Sequence, residues 1–234
     1  MNTRFDPTQA RLLSFTVLGT LINVRSGAYP AFETILERAG APSVDVEDFW
    51  ETWENRNVEQ YWQPWRPYRD LCQESLGFAF DKFGIKADSA LIQFYFDAFP
   101  AFELYPDVGP ALASLADRFE LALVSDIDAD LLALTPLARS FRLVFTADKA
   151  KAYKPSGALF RYVLAHAGVP GRQILHAGQS QYTDIIGARP LGIAVAWVNR
   201  RGVTLNYKLP QPDFTLPDIA SVARLVLKGK ADLD

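Results

Sequence analysis

Four short segments end in residues that can do chemistry. Thr16 stands in Ser14-Phe15-Thr16-Val17-Leu18-Gly19-Thr20-Leu21-Ile22-Asn23, Ser125 and Asp126 in Leu123-Val124-Ser125-Asp126-Ile127-Asp128, Lys154 in Ala152-Tyr153-Lys154-Pro155, and Asp184 in Gly178-Gln179-Ser180-Gln181-Tyr182-Thr183-Asp184. A threonine hydroxyl is un-ionised near neutral pH and attacks only when a base takes its proton; the threonines that do so use a free N-terminal amine, which an internal residue lacks. The chain has two histidines. His166 reads as a helix residue, and His176, inside an apolar run two residues before Gly178, reads as structural and not as a base for Thr16. Asp126, Asp128 and Asp130 suit the first turn of a helix, where negative charge meets the positive end of the dipole. For Asp126 that reading and a site reading stand side by side.

The elements that must position these residues alternate. Apolar runs at Arg11 to Val17, Glu120 to Asp126, Leu143 to Ala147, Ile174 to Gly178 and Ile193 to Asn199 predict strands, with Asp213 to Leu216 a weaker sixth. Helical spacing fills the gaps, as over Gly157 to His166 with Gly168 as its stop. This order predicts an α/β fold with a parallel sheet, whose strands deliver the residues after them to one edge. Residues 27–104 break the alternation and predict a helical cap inserted in a core of residues 1–26 and 105–234. The cap holds Trp50, Trp53, Trp62 and Trp65, which pack its interior or wall a substrate cleft; Pro64 and Pro67 put Trp65 and Tyr68 on a loop or bend. Val203 to Pro212 reads as an exposed loop.

The four segments resemble, in order, the motifs of the haloacid dehalogenase-like (HAD) superfamily, in the branch with a helical cap that includes L-2-haloacid dehalogenases. Phe-Asp-x-x-Gly-Thr-Leu is similar to the first segment, which places Thr16 where the family has its nucleophilic aspartate and Leu18 where phosphatases carry an acid/base. Ser125 matches the residue that hydrogen-bonds the substrate's anionic oxygens, and Asp126 stands where the branch commonly has Asn. Lys154 matches the lysine that neutralises nucleophile and anion. The fourth segment is similar to Gly-Gln-Ser-x-Tyr-x-Asp, with Asp184 as the acidic residue. Thr20, Gln179 and Ser180 enter with these motifs as substrate-binding candidates. Arg25 resembles a dehalogenase arginine; it either grips a substrate carboxylate through two parallel hydrogen bonds or forms a surface or hinge ion pair.

The resemblance implies a Rossmann-like HAD core and covalent chemistry that Thr16 cannot supply. Magnesium, held in family phosphatases by the nucleophile, a carbonyl and the Asp184 position, keeps only Asp184 and the Leu18 carbonyl, so no cofactor is expected beyond weak Mg²⁺. Three readings follow: a non-catalytic member with a small-anion pocket, a repurposed hydrolase or lyase acting on a small organic acid through Asp126 or Asp184, and an ordinary dehalogenase-type hydrolase. A net charge of −3 gives no footprint for nucleic acid or an anionic membrane. The lone Cys72 excludes an internal disulfide. With no signal-like or membrane-spanning run, a cytoplasmic protein is expected, whose partners are a small organic acid or anion, another protein, or a second copy.

Overall fold

The computed structural model describes residues 5–137 and 141–231. Residues 1–4, 138–140 and 232–234 of the expected core lie outside the described residues. The strands are β1 (Leu12–Phe15), β2 (Ile22–Asn23), β3 (Glu103–Leu104), β4 (Glu120–Ser125), β5 (Leu143–Thr146), β6 (Ile174–Gly178), β7 (Ala194–Val198) and β8 (Phe214–Leu216). Six of them form one parallel sheet in the order β5-β4-β1-β6-β7-β8, so β1, β4 and β6 lie side by side at its centre. This is the expected α/β architecture. The central strands are buried along their length because helices cover both faces. Leu13 and Phe15 share a core with Leu112, Ile219 and Val222, while Leu12 faces the other way with Leu159, Phe160 and Val163. Ser14 and Thr16 alternate with Leu13 and Phe15 and point to the Phe160 side.

The cap is built from α1 (Val24–Arg38), α2 (Val46–Glu59), α3 (Tyr68–Lys82) and α4 (Gln93–Asp97). Asp45 caps α2 by accepting the Asp48 N–H at 3.0 Å. Phe32, Trp53 and Tyr95 meet at ring-centroid distances of 4.9–5.7 Å and fill the cap interior. Two boundaries differ from expectation. The helical insert begins at Val24, and residues 27–104 contain a strand, since β3 returns to pair antiparallel with β2. Two residues are too few for a period-two pattern to show. Tyr68, expected on a bend, is the first residue of α3, because Pro67 precedes it where a missing N–H costs nothing.

Cap and core are fastened on one side. Tyr68 N–H donates to Asp128 at 3.3 Å, Arg69 pairs with Asp130 at 2.6 Å, and Tyr153 stacks on Tyr61 at 4.5 Å while its hydroxyl donates to the Arg66 carbonyl. Asp128 precedes the helix Ala129–Leu134 but makes no capping bond. Asp128 thus stands at the helix terminus as expected, and its carboxylate also accepts from the cap.

Candidate functional site

The carboxyl edge of β1, β4 and β6 carries a closed polar cluster. Thr16 extends β1 by donating its N–H to the Ala177 carbonyl, and its hydroxyl then donates to Asp184 Oδ1 at 2.5 Å and accepts from Lys154 Nζ at 2.8 Å. Lys154 spends its other two hydrogens on Asp184 Oδ1 at 2.9 Å and the Val124 carbonyl at 3.2 Å. The second Asp184 oxygen accepts the Ser180 N–H at 2.9 Å. Lys154 and Asp184 are fully buried, with Thr16 in front of them. Asp184 folds back so closely over Gly178 that any β-carbon there would collide with its carboxylate. Gly19, at φ +76°, makes the turn after Thr16, against the Gln179 side chain.

His176 is a neighbour of Thr16 that the sequence did not assign to it. The parallel register sets it opposite Ser14, and its Nε2 lies 3.3 Å from Thr16 Oγ1 and 3.2 Å from Asp184 Oδ1, while Nδ1 is 2.9 Å from Ser14 Oγ. It is thus next to Thr16. Burial lowers its pKa against the hydrogen bond to Asp184, which keeps the ring neutral. A neutral ring facing a carboxylate places its proton on Nε2 and leaves Nδ1 to accept from Ser14. The nitrogen beside Thr16 is therefore a donor and cannot take the threonine proton.

The charges around Thr16 follow from its surroundings. Burial alone would raise Asp184, but the Lys154 ammonium and the hydrogen bonds from His176 and Thr16 hold its carboxyl well below the usual range. Burial would lower Lys154; Asp126 and Asp184 outweigh it and raise the amine, so it stays charged and is no base. Asp126 accepts the Lys154 N–H at 2.9 Å and sits 3.5 Å from Nζ. Burial pushes it up to about 6, Lys154 opposing and Asp184 adding to the rise.

That rise makes a stability prediction. A carboxyl near 3.8 when unfolded and about 6 when folded binds more protons in the native state, so its stabilisation is full below pH 4 and is lost as pH rises through 6. Asp126→Asn, whose amide oxygen still accepts the Lys154 N–H, should raise stability at pH 7.5 by roughly 1–3 kcal/mol. Urea unfolding at pH 4.5 and 7.5 checks it: the gain should appear at the higher pH and shrink at the lower.

In front of this cluster, between core and cap, lies a cavity of about 510 Å³. Thr16, Leu18, Ser125, Asp126, Gln179 and Ser180 line its core side; Arg25, Trp50, Trp53, Glu54, Asn57 and Tyr61 line its cap side, and Arg200 and Arg201 its rim. Leu18 walls the cleft without closing it. Ser125 is buried, its oxygen accepting the Ile127 N–H at 3.3 Å, which leaves its proton for a ligand. Of the tryptophans, Trp50 and Trp53 face the cavity, Trp62 is exposed, and Trp65 lies under the Lys151 ammonium.

Three candidates are engaged elsewhere. Thr20 is fully buried and accepts the Gln179 N–H at 3.0 Å, so it braces two loops and does not line this cavity. The Ser180 hydroxyl accepts from the Tyr182 and Thr183 N–H groups, shaping the turn that carries Asp184. Arg25 forms the ion-pair alternative, 2.9 Å from Glu47 and 3.6 Å from Glu51 of α2. Magnesium does not fit the residues present. Both Asp184 oxygens are taken, the ammonium of Lys154 is bonded to one of them, and no cluster of three or more His, Cys, Asp or Glu able to hold a metal occurs among the described residues. Nor is any described helix long and apolar enough to cross a membrane.

The chain is similar to known proteins in sequence and in fold. Haloacetate dehalogenase H-2 of Moraxella sp. (strain B) is 28% identical over 127 residues, spanning 52% of this chain and 56% of that protein. Phosphoserine phosphatase of Thermus thermophilus is 30% identical over 185 residues, spanning 76% of this chain and 72% of that protein. The structure of L-2-haloacid dehalogenase from Xanthobacter autotrophicus superposes with a TM-score of 0.81 at 23% identity, covering 94% of this chain and 99% of that one, a likeness of fold. A family model for haloacid dehalogenase-like hydrolases matches residues 17–192, the stretch that runs from the turn after Thr16 through the cap to the Asp184 loop. On that match and on the shared fold, this chain belongs to the haloacid dehalogenase-like hydrolase family.

Proposed function

We propose that this protein is a HAD-fold member without covalent aspartyl chemistry, which holds a small organic acid in the cavity between core and cap. One observation carries the reading: the Thr16 hydroxyl, the three Lys154 ammonium hydrogens and both Asp184 oxygens are all engaged from within. The hydroxyl at the family's nucleophile position gives its proton to a carboxylate too acidic to keep it, and the charged lysine and the His176 donor offer no other base. An anion meets a favourable site. The Lys154–Asp184 pair is neutral where an aspartate at position 16 would add a negative charge, the Ser125 hydroxyl proton is left for an anionic oxygen, and Arg201 lines the cavity without an ion pair among the described residues. Relatives named for haloacetate and phosphoserine support small acids as the ligand class.

Steady-state assays test this. Neither halide release from 2-chloropropionate nor magnesium-dependent hydrolysis of p-nitrophenyl phosphate should be seen; turnover within about 1–10³ per second would overturn the reading. Asp126 favours a second reading, a repurposed hydrolase or lyase. It lines the cavity, its pKa of about 6 leaves it largely ionised at neutral pH, and a carboxylate in that range is suited to activate water. Such an enzyme would turn over an organic acid with no adduct at position 16 and lose activity in Asp126→Asn.

A further inference from the structure

The cap wall of the cavity holds a carboxylate that nothing else in the fold uses. Helix α2 turns Trp50, Trp53, Glu54 and Asn57 toward the cavity at spacings of three, four and seven from the first, one face of the helix, and the turn Gln60–Trp62 that follows it adds Tyr61. Trp53 donates to the Cys72 carbonyl, and Tyr61 donates to Asn57. Glu54 makes no hydrogen bond or ion pair among the described residues. A polar group half-withdrawn from water against aromatic walls costs free energy until a partner arrives. Trp50 adds a second: its indole N–H is buried without an acceptor.

The cations of the lining divide in a corresponding way. Arg25 is committed to Glu47 and Glu51, and Arg200 to Asp107 at 2.9 Å. Arg201 is exposed, lines the same cavity, and has no ion pair among the described residues, acting on Glu54 only through space. One uncommitted anion and one uncommitted cation thus line the same cavity. An α-amino acid carries the complementary pair on a single carbon.

We propose that Glu54 and Arg201 recognise the α-ammonium and α-carboxylate of an amino-acid ligand whose side chain lies against the aromatic wall of the cavity. The proposal rests on the reading of the cavity as a small-acid site, and narrows it. Cavity size agrees. At roughly 30 Å³ per water-sized group, about 510 Å³ is several times what a three-carbon acid fills and is ample for a large amino acid. Burial pushes the Glu54 carboxyl up to about 7 against Arg201 and Arg25, with Glu51 adding to the rise and Tyr95 of α4 beside it. Its charge, and with it the pull on an ammonium, therefore grows from pH 6 to pH 7.5.

Titration calorimetry with matched pairs tests the assignment: propionate and alanine, 4-methylpentanoate and leucine, 3-phenylpropionate and phenylalanine. In the unmodified protein at pH 7.5 at least one amino acid should bind about ten-fold or more tighter than its partner acid, the scale of one charge-assisted hydrogen bond. The preference should shrink at pH 6. Glu54→Gln should abolish it and leave the plain acid unchanged, whereas Arg201→Gln should weaken both members together. Equal affinities within the pairs, an equal loss of both in Glu54→Gln, or a preference removed by Asp126→Asn instead would overturn the Glu54 assignment and leave the acid site standing. If none of the six binds a protein whose thermal unfolding is intact, the acid-site reading itself falls. Both residues line the cavity, and melting no lower than that of the unmodified protein confirms that any loss is one of binding.

Discussion

Lys154→Met should destabilise the fold by about 3–5 kcal/mol, the usual cost of stranding one member of a buried ion pair. Lys154 and Asp184 are both fully buried, and the ammonium is the group that keeps Asp184 ionised against its burial. The pH dependence should change sign as well. In the unmodified protein Asp184 is held below its ordinary 3.8, so its stabilisation is present above about pH 4 and is lost as pH falls toward the folded value. Lys154 is raised above 10.5, so its stabilisation is present below that and is lost only as pH rises past it. The pair thus gives a plateau between about pH 4 and 10. Without the ammonium, burial dominates at Asp184, its carboxyl rises, and stability should decline with increasing pH across the neutral range. Adding Asp184→Asn removes the stranded charge and should recover a large part of the loss. Urea unfolding from pH 4 to 9 measures all three, and a loss under about 1 kcal/mol in the single variant would show the pair to be solvated.

The sheet, the cap and the convergence of Thr16, Ser125, Lys154 and Asp184 near one edge were legible because each depends on local signals: apolar runs, helical spacing and short motifs at strand ends. What the sequence hid depends on register. His176 reads as a core residue in isolation, and only the pairing of Ser14 with His176 reveals that Ser14, Thr16 and His176 share one face. The signal was present as two hydroxyls at i and i+2 in one strand, a polar face inside a buried sheet. Arg25 was visible, but its partners lie one helix away, at Glu47 and Glu51, four residues apart on α2. Glu54 was overlooked among the tryptophans, though a carboxylate in phase with Trp50, Trp53 and Tyr61 is a break in an otherwise inward face. Thr20 carried a family motif and serves a loop brace, because a hydroxyl's neighbours decide its role.

Thr16→Asp should create activity where there was none, and by the largest factor of any change considered. Loss of the nucleophile from a covalent hydrolase costs on the order of 10⁵–10⁶ in rate, so restoring even part of the site leaves a wide margin above background. The new carboxylate would project toward Lys154, whose Nζ already reaches Thr16 Oγ1 at 2.8 Å, and toward the His176 N–H, now 3.3 Å from that hydroxyl. It would also displace the hydrogen bond to Asp184, setting two carboxylates around one ammonium with Asp126 a third nearby. Like charges so placed raise the pKa of the group least well compensated. The single variant is therefore expected to be partly protonated and weak. Asp126→Asn removes one charge while keeping the acceptor for the Lys154 N–H, so the double variant should release halide from 2-chloropropionate at least about a hundred-fold faster than the unmodified protein and faster than Thr16→Asp alone. As the carboxylate oxygen bonds to C2 and chloride leaves, peptide mass mapping should find the 1-carboxyethyl ester on the peptide carrying position 16. If both variants fold, neither exceeds background and no adduct forms, then the lysine and serine no longer support a carboxylate nucleophile, and the site has diverged beyond one residue toward binding or water-based chemistry.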